Sequence, residues 1–209
     1  MAAHVQPNQP PSFVAPISTP AYGDGGWASI VFSTTIAASP VACLEIMLDP
    51  TTYPVWNKWV PRVTIDRAAS TPVSGVLPPP LSHIAAKQDQ LLPGTRFHFE
   101  VHMSPESASF NKTELEVTVL EQFDRDGRKG LRVVWKTPGS PWYLRAERVQ
   151  EFLESADGGC EYTSYETFFG PVTWLVKLLV GKQLQGGLTL WKDGLKAEAE
   201  ARTQSATKL

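Results

Sequence analysis

Only one element in this sequence is long. After Gly170-Pro171 the pattern from Val172 to about Arg202 is helical without a break, and everything before it is built of short segments. A lone amphipathic helix needs a surface of matching size to bury its apolar stripe. A chain with no second long helix can supply that surface only as a sheet. The preceding segments read as strands joined by turns, so the expected class is α+β, a curved antiparallel sheet wrapped around a long C-terminal helix. A helix lying in the hollow of a bent sheet does not fill it, so a cavity is expected beneath the helix. Lys177, Lys182, Gln183 and Gln185 interrupt the stretch from Val172 to Trp191, which does not suit a membrane span.

β-Branched and aromatic content with period-two alternation predicts seven strands, over 27–36, 58–67, 95–103, 110–123, 131–136, 143–154 and 160–169. Asp124-Arg125-Asp126-Gly127, Thr137-Pro138-Gly139-Ser140-Pro141 and Asp157-Gly158-Gly159 supply turns between them. Two short helices fall between the first two strands. Ser39 is placed to cap the first, with Pro40 at its first position, where a missing N–H costs nothing; it runs over 41–48. The second is a turn over 52–57. Residues 1–26 are rich in Pro, Gly and Ser without periodicity and read as a disordered or loosely attached arm. Residues 27–202 form one domain, and 203–209 a flexible tail. The connection 68–93, with Gly75 and Pro78-Pro79-Pro80, is long enough to be a lid or mobile insertion, with a helical turn in 81–90.

Composition narrows the function. Nineteen Lys and Arg against 21 Asp and Glu give a net charge of −2, without the basic footprint that nucleic acid requires. Cys43 and Cys160 have no CxxC partner and the four histidines are scattered, so neither a metal site nor a disulfide framework is expected. The sequence has no GxSxG, no phosphate loop and no dinucleotide fingerprint, and no cofactor is expected. The N-terminal residues lack a basic start followed by an apolar run, so the expected location is cytoplasmic. The expected partner is a hydrophobic small molecule, with transient membrane contact possible in principle and the oligomeric state left open.

Alternation assigns faces. Phe97, Phe99 and Val101 point inward, while His98 and His102 point out. Leu115 and Val117 follow inward, then Val133 and Trp135. In 143–154 the even set is the more apolar, which turns Ala146, Arg148, Gln150 and Phe152 inward. In 160–169 the inward set is Tyr162, Ser164, Glu166 and Phe168. With the turn centred near Asp157, Arg148 lies opposite Ser164, and Glu166 is its diagonal neighbour. An inward Arg and an inward Glu are each costly alone and tolerable together. They could anchor a ligand's carboxylate, hydroxyl or carbonyl, act as a general acid and base, or form a purely structural ion pair. On the long helix the predicted inner stripe is Val172, Val176, Leu179, Gln183, Gly187, Leu190 and Gly194, with Trp191 at its edge. A mid-helix glycine costs about 1 kcal/mol relative to alanine. Gly187 therefore either leaves room for a ligand or lets the helix pack closely.

Several segments together resemble the START-like (SRPBCC) superfamily of polyketide cyclases, lipid-transfer proteins and pollen-allergen-like proteins, and within it a fungal-type branch. They are Ile36-Ala37-Ala38-Ser39-Pro40, Asp49-Pro50-Thr51-Thr52-Tyr53-Pro54-Val55-Trp56-Asn57, Leu92-Pro93-Gly94-Thr95, Ala146-Glu147-Arg148-Val149 and Tyr162-Thr163-Ser164-Tyr165-Glu166-Thr167-Phe168-Phe169-Gly170. The resemblance covers about 27–202. It implies a seven-stranded helix-grip fold with a deep apolar cavity, and the 68–93 connection departs from it. It does not fix the chemistry, because such folds host carriers, sensors and enzymes. Three functions fit. One is binding or transport of a lipid, polyketide or terpenoid. Another is a polyketide cyclase or dehydratase working by positioning, with Arg148 and Glu166 assisting proton transfer. The third is an interaction module without a fixed ligand.

Overall fold

In the computed structural model the described residues are 5–69, 77–85, 87, 89–103 and 109–207. Strand β1 (Ser12–Val14) is followed by β2 (Ala28–Ile36), helix α1 (Pro40–Leu48), a 3₁₀ turn at Pro50–Thr52 and helix α2 (Tyr53–Trp56). Then come β3 (Arg62–Arg67), a 3₁₀ helix at Pro79–Ile84, β4 (Arg96–Val101), β5 (Asn111–Arg125), β6 (Arg128–Lys136), β7 (Arg145–Glu154), β8 (Cys160–Phe169) and helix α3 (Thr173–Thr207). All strands lie in one antiparallel sheet of order β1-β2-β8-β7-β6-β5-β4-β3.

Local chemistry sets the element ends. The Ser39 hydroxyl accepts the Ala42 N–H at 3.2 Å, and Pro40 occupies the first turn of α1. Asp49 then caps the next turn, accepting the Thr51 N–H at 2.9 Å. The β5–β6 hairpin closes on Asp126 and Gly127, at φ 55° and 76°. Two consecutive positive φ values give the turn whose twist matches that of the flanking strands.

The sheet has eight strands rather than the seven expected. The additional one comes from the segment read as a disordered or loosely attached arm, where β1 pairs with β2 in the register Phe13↔Ile30. Phe13 packs on the core beside Gly181 of α3, and Gln185 Nε2 donates to the Pro11 carbonyl at 3.1 Å. Farther along, Ile17 N–H donates to Ser29 Oγ at 2.8 Å and Ala21 N–H to Glu147 Oε2 at 2.9 Å. The arm therefore covers part of the sheet's outer face, which is why Glu147, pointed outward by alternation, is fully buried. Polar composition hid this, because the arm binds mostly through its backbone. At the other end α3 continues to Thr207, through most of the stretch expected to be a tail.

In the 68–93 connection, residues 70–76, 86 and 88 lie outside the described residues. Its helical turn falls at Pro79–Ile84, starting slightly earlier than expected, and buries Leu81 and Ile84 completely. Leu91 N–H donates to the Leu48 carbonyl at 2.8 Å. His83 Nε2 lies 2.6 Å from Glu45 on α1.

Candidate functional site

The inner face of the sheet, α1, α2 and the middle of α3 enclose one continuous core. At its centre is a group of rings. Tyr53, Trp56, Trp59, Phe99 and Trp135 each pack against Trp191, with centroids 5.2–6.5 Å away. Beside it lies a cavity of about 220 Å³. Phe99, Val101, Leu115, Trp135, Ala146, Arg148, Glu166 and Phe168 of the predicted inward set line it. Trp59, Val60, Met103, Thr113, Thr137, Val180 and Leu184 complete the wall. Phe97, Val117, Val133, Gln150, Tyr162 and Ser164 are buried in the core but do not line the cavity.

The predicted helix stripe matches the packed face only in its second half, where Gly187 and Gly194 face Trp59 and Trp56 and Leu190 is partly buried against the core. The buried apolar side chains of α3 are Leu188, Trp191, Leu195 and Ala199, preceded by the partly buried Leu184. Leu179, 67% exposed, and Gln183 face outward instead of toward the cavity. The error came from the first turns of α3, where Trp174, Leu175, Leu178 and Leu179 are all apolar and all exposed. Gly187 does not leave ligand space either. A Cβ there would lie 2.2 Å from Trp59 Cε2, and one at Gly194 would lie 2.0 Å from the Trp56 carbonyl oxygen. The two glycines let α2 and the following turn press against α3, and this sets Trp59 into the cavity wall. The signal for Trp59 was Asn57, whose Oδ1 accepts the N–H groups of Trp59 and Val60 at 3.1 and 2.8 Å. Such an Asx-type turn redirects the chain inward.

Arg148 and Glu166 both line the cavity, and the register between their strands differs by two residues from the expected one. Arg148 pairs directly with Glu166, and Gln150 with Ser164. The β7–β8 turn is centred on Asp157, with Glu154 opposite Cys160, and that centre pairs Arg148 with Glu166; a pairing with Ser164 would need the centre one residue earlier, at Ala156. Arg148 is 5% exposed. Its Nε donates to Ser164 Oγ at 3.1 Å, and its guanidinium lies 4.4 Å from the Trp191 ring centroid. Its Nη2 is buried with no hydrogen-bond partner among the described residues. Glu166, partly buried beside it, has its carboxyl pKa raised by burial, with Arg148 opposing the rise.

A second polar chain lies behind. Trp191 Nε1 donates to Tyr162 Oη at 3.0 Å, and Tyr162 donates to Gln150 Oε1 at 2.5 Å. Burial pushes the Tyr162 phenol up to about 12, against the lowering effect of Arg148, so it is a neutral donor at physiological pH. Gln150 Nε2 and Trp59 Nε1 are likewise buried without partners among the described residues. The outward histidine His98 bonds Asp66 at 2.9 Å on the opposite face, away from the cavity.

A long helix gripped by a curved antiparallel sheet, with short helices closing one end, is a helix-grip fold. No family model matches the chain. A curated protein, oxopyrrolidines biosynthesis cluster protein O of Penicillium oxalicum, is 25% identical over 186 residues, covering 81% of this chain and 86% of that one. Among solved structures, a START superfamily protein of Mycobacterium smegmatis superposes with a TM-score of 0.50 at 11% identity, over 83% of this chain and 97% of that one. A Thalictrum flavum norcoclaurine synthase does so with a TM-score of 0.51 at 10% identity, over 84% and 95%. At these identities the structural likenesses speak to the fold alone.

Proposed function

We propose that the protein binds a compact hydrophobic small molecule in the cavity beneath α3, with an oxygen acceptor of the ligand received by Arg148. The observation that carries this reading is Arg148 Nη2, unpartnered among the described residues, in a wall that is aromatic and aliphatic apart from Glu166, Thr113 and Thr137. A buried donor of a charged group left without an acceptor costs free energy that a bound carboxylate or carbonyl would recover. Apolar walls with a few convergent polar groups are also the usual make-up of ligand sites. At about 220 Å³ the cavity falls below the usual range of roughly 300–1,000 Å³, which favours a ligand of one or two rings over a long lipid chain. The resemblance to a protein of a biosynthetic cluster fits a metabolite of that size.

Native mass spectrometry of the purified protein, compared with the denatured sample, tests for a co-purified molecule. As a defined probe, 2-naphthoate should bind more tightly than naphthalene. Arg148→Met should weaken naphthoate by about 10- to 100-fold, the worth of one charge-assisted hydrogen bond, and leave naphthalene unchanged. A preference for naphthoate that survives Arg148→Met would overturn the reading.

A second reading is a cyclase or dehydratase in secondary metabolism. Glu166 favours it, since a carboxyl with a raised pKa beside a guanidinium at a cavity wall is placed for proton transfer. On that reading Glu166→Gln removes turnover of a polyketide-like substrate while the protein still binds it. Equal loss of binding and turnover would count against catalysis by Glu166.

A further inference from the structure

We propose that the first turns of α3 and the adjoining β6–β7 loop dock on the surface of an anionic lipid membrane. Trp174, Leu178 and Leu179 are 60%, 71% and 67% exposed, a concentration of large apolar side chains that solvent alone does not favour. At 100° per residue, Trp174, Leu178, Lys182, Leu175 and Leu179 fall within about 140° of one side of the helix. The loop extends the patch. Val172 N–H donates to the Tyr143 carbonyl at 3.2 Å, and Trp142 and Tyr143 beside it are 72% and 47% exposed. Tryptophan and tyrosine at the edge of an apolar face suit the headgroup level of a bilayer.

Charge selects this occupant over a second copy of the chain. Across 137–146 and 167–190 the sequence contains Arg145, Lys177 and Lys182 and no Asp or Glu. A symmetric dimer through this face would set its ammonium groups against their own counterparts with no carboxylate on the patch to offset them. A leaflet carrying phosphatidylserine supplies the opposite sign. Val180 and Leu184, on the inner side of the same turns, line the cavity, so the docked face and the cavity share one helix segment. The docking itself does not depend on what the cavity holds.

The full chain should co-sediment with vesicles of roughly 7:3 phosphatidylcholine and phosphatidylserine, and its tryptophan emission should shift to the blue. Partitioning should fall on pure phosphatidylcholine and in about 0.5 M salt. Leu178→Glu/Leu179→Glu should lower it by about tenfold or more, and each of Lys177→Gln and Lys182→Gln by roughly fivefold. All four side chains are exposed, so circular dichroism should show the fold intact. Protein that stays in the supernatant overturns the proposal, as does partitioning indifferent to the leucine pair. A dimer in light scattering that the leucine pair dissociates would assign the face to a second copy instead.

Discussion

Replacing three glycines of one helix by alanine should give opposite signs. Propensity alone predicts that each gains about 1 kcal/mol, because glycine is the poorer helix former by that amount. At Gly186 nothing lies within 4 Å of the added Cβ, so Gly186→Ala should keep the whole gain. At Gly194 the added Cβ would stand 2.0 Å from the Trp56 carbonyl oxygen, whereas an ordinary contact begins at 3.4 Å. The obstacle is backbone, so α2 must move by more than 1 Å relative to α3, and Trp56, packed on Trp191 and Tyr53, must move with it. Overpacking of this kind costs about 1–3 kcal/mol and sometimes more; an immovable partner puts Gly194→Ala at or beyond the top of that range. Net destabilisation of about 2 kcal/mol is expected, some 3 kcal/mol below Gly186→Ala. Gly187→Ala, facing the Trp59 ring at 2.2 Å, should also destabilise and should in addition shift Trp59 in the cavity wall. Urea unfolding followed by circular dichroism measures all three. For a chain of this size, melting points should separate by about 2–4 °C per kcal/mol. If Gly194→Ala and Gly186→Ala were equally stabilising, the close seating of α2 on α3 described above would be wrong.

Tyr162→Phe should cost about 2–4 kcal/mol in the same assay, because it strands the Trp191 N–H and the Gln150 carbonyl oxygen in the core. A loss under about 1 kcal/mol would mean that the chain of hydrogen bonds contributes little. Burial raises the Glu166 carboxyl pKa above its unfolded value. The folded state therefore holds that proton more tightly, and the associated stability is present at low pH and lost as pH rises through the raised value. Glu166→Gln, which cannot ionise, should accordingly gain on the wild type in urea midpoint as pH rises above about 4, the unfolded value; a difference that is flat in pH would refute the shift. Deleting residues 1–26 removes β1, Phe13 and the Pro11 contact to Gln185. It should destabilise by more than about 2 kcal/mol and speed hydrogen exchange along β2; unchanged protection would make the arm dispensable.

Strand positions were legible because alternation and turn chemistry act locally. Asp126-Gly127 can adopt two positive φ values on its own, and the even set of β7 shows its apolar bias without reference to any neighbour. What depended on contacts at long range was less legible. The expected pairing of Arg148 with Ser164 corresponds to a turn centred at Ala156, one residue before the Asp157 centre observed, and a shift of one residue in the turn moves the cross-strand partner by two. The outward position of Leu179 and Gln183 required knowing that the first turns of α3 are not covered, and a periodicity argument assumes that apolar residues are. The arm failed for the opposite reason. Its composition carries little hydrophobic signal, yet Ile17 and Ala21 bind through backbone N–H groups, which side-chain composition does not record.

The packing around the middle of α3 also bears on what the cavity can hold. A helix in the hollow of a sheet would leave a large space if the facing side chains were small. Here four tryptophans, Trp56, Trp59, Trp135 and Trp191, converge with Tyr53 and Phe99 on that space, and the glycines of α3 bring two of them closer still. The fold's cavity is thereby reduced to a pocket at the end where Val180 and Leu184 cross Phe168 and Val101. Arg148 sits where the aromatic floor meets that pocket, its guanidinium on Trp191 and its Nη2 without a partner among the described residues. Stacking on the indole holds the guanidinium plane in place, so a ligand's acceptor meets a donor already oriented and less rotamer entropy is lost on binding. Arg148→Lys would keep the charge but lose both the stacked plane and the Nε bond to Ser164. It should therefore bind naphthoate almost as poorly as Arg148→Met; recovery by lysine would show that only charge is required.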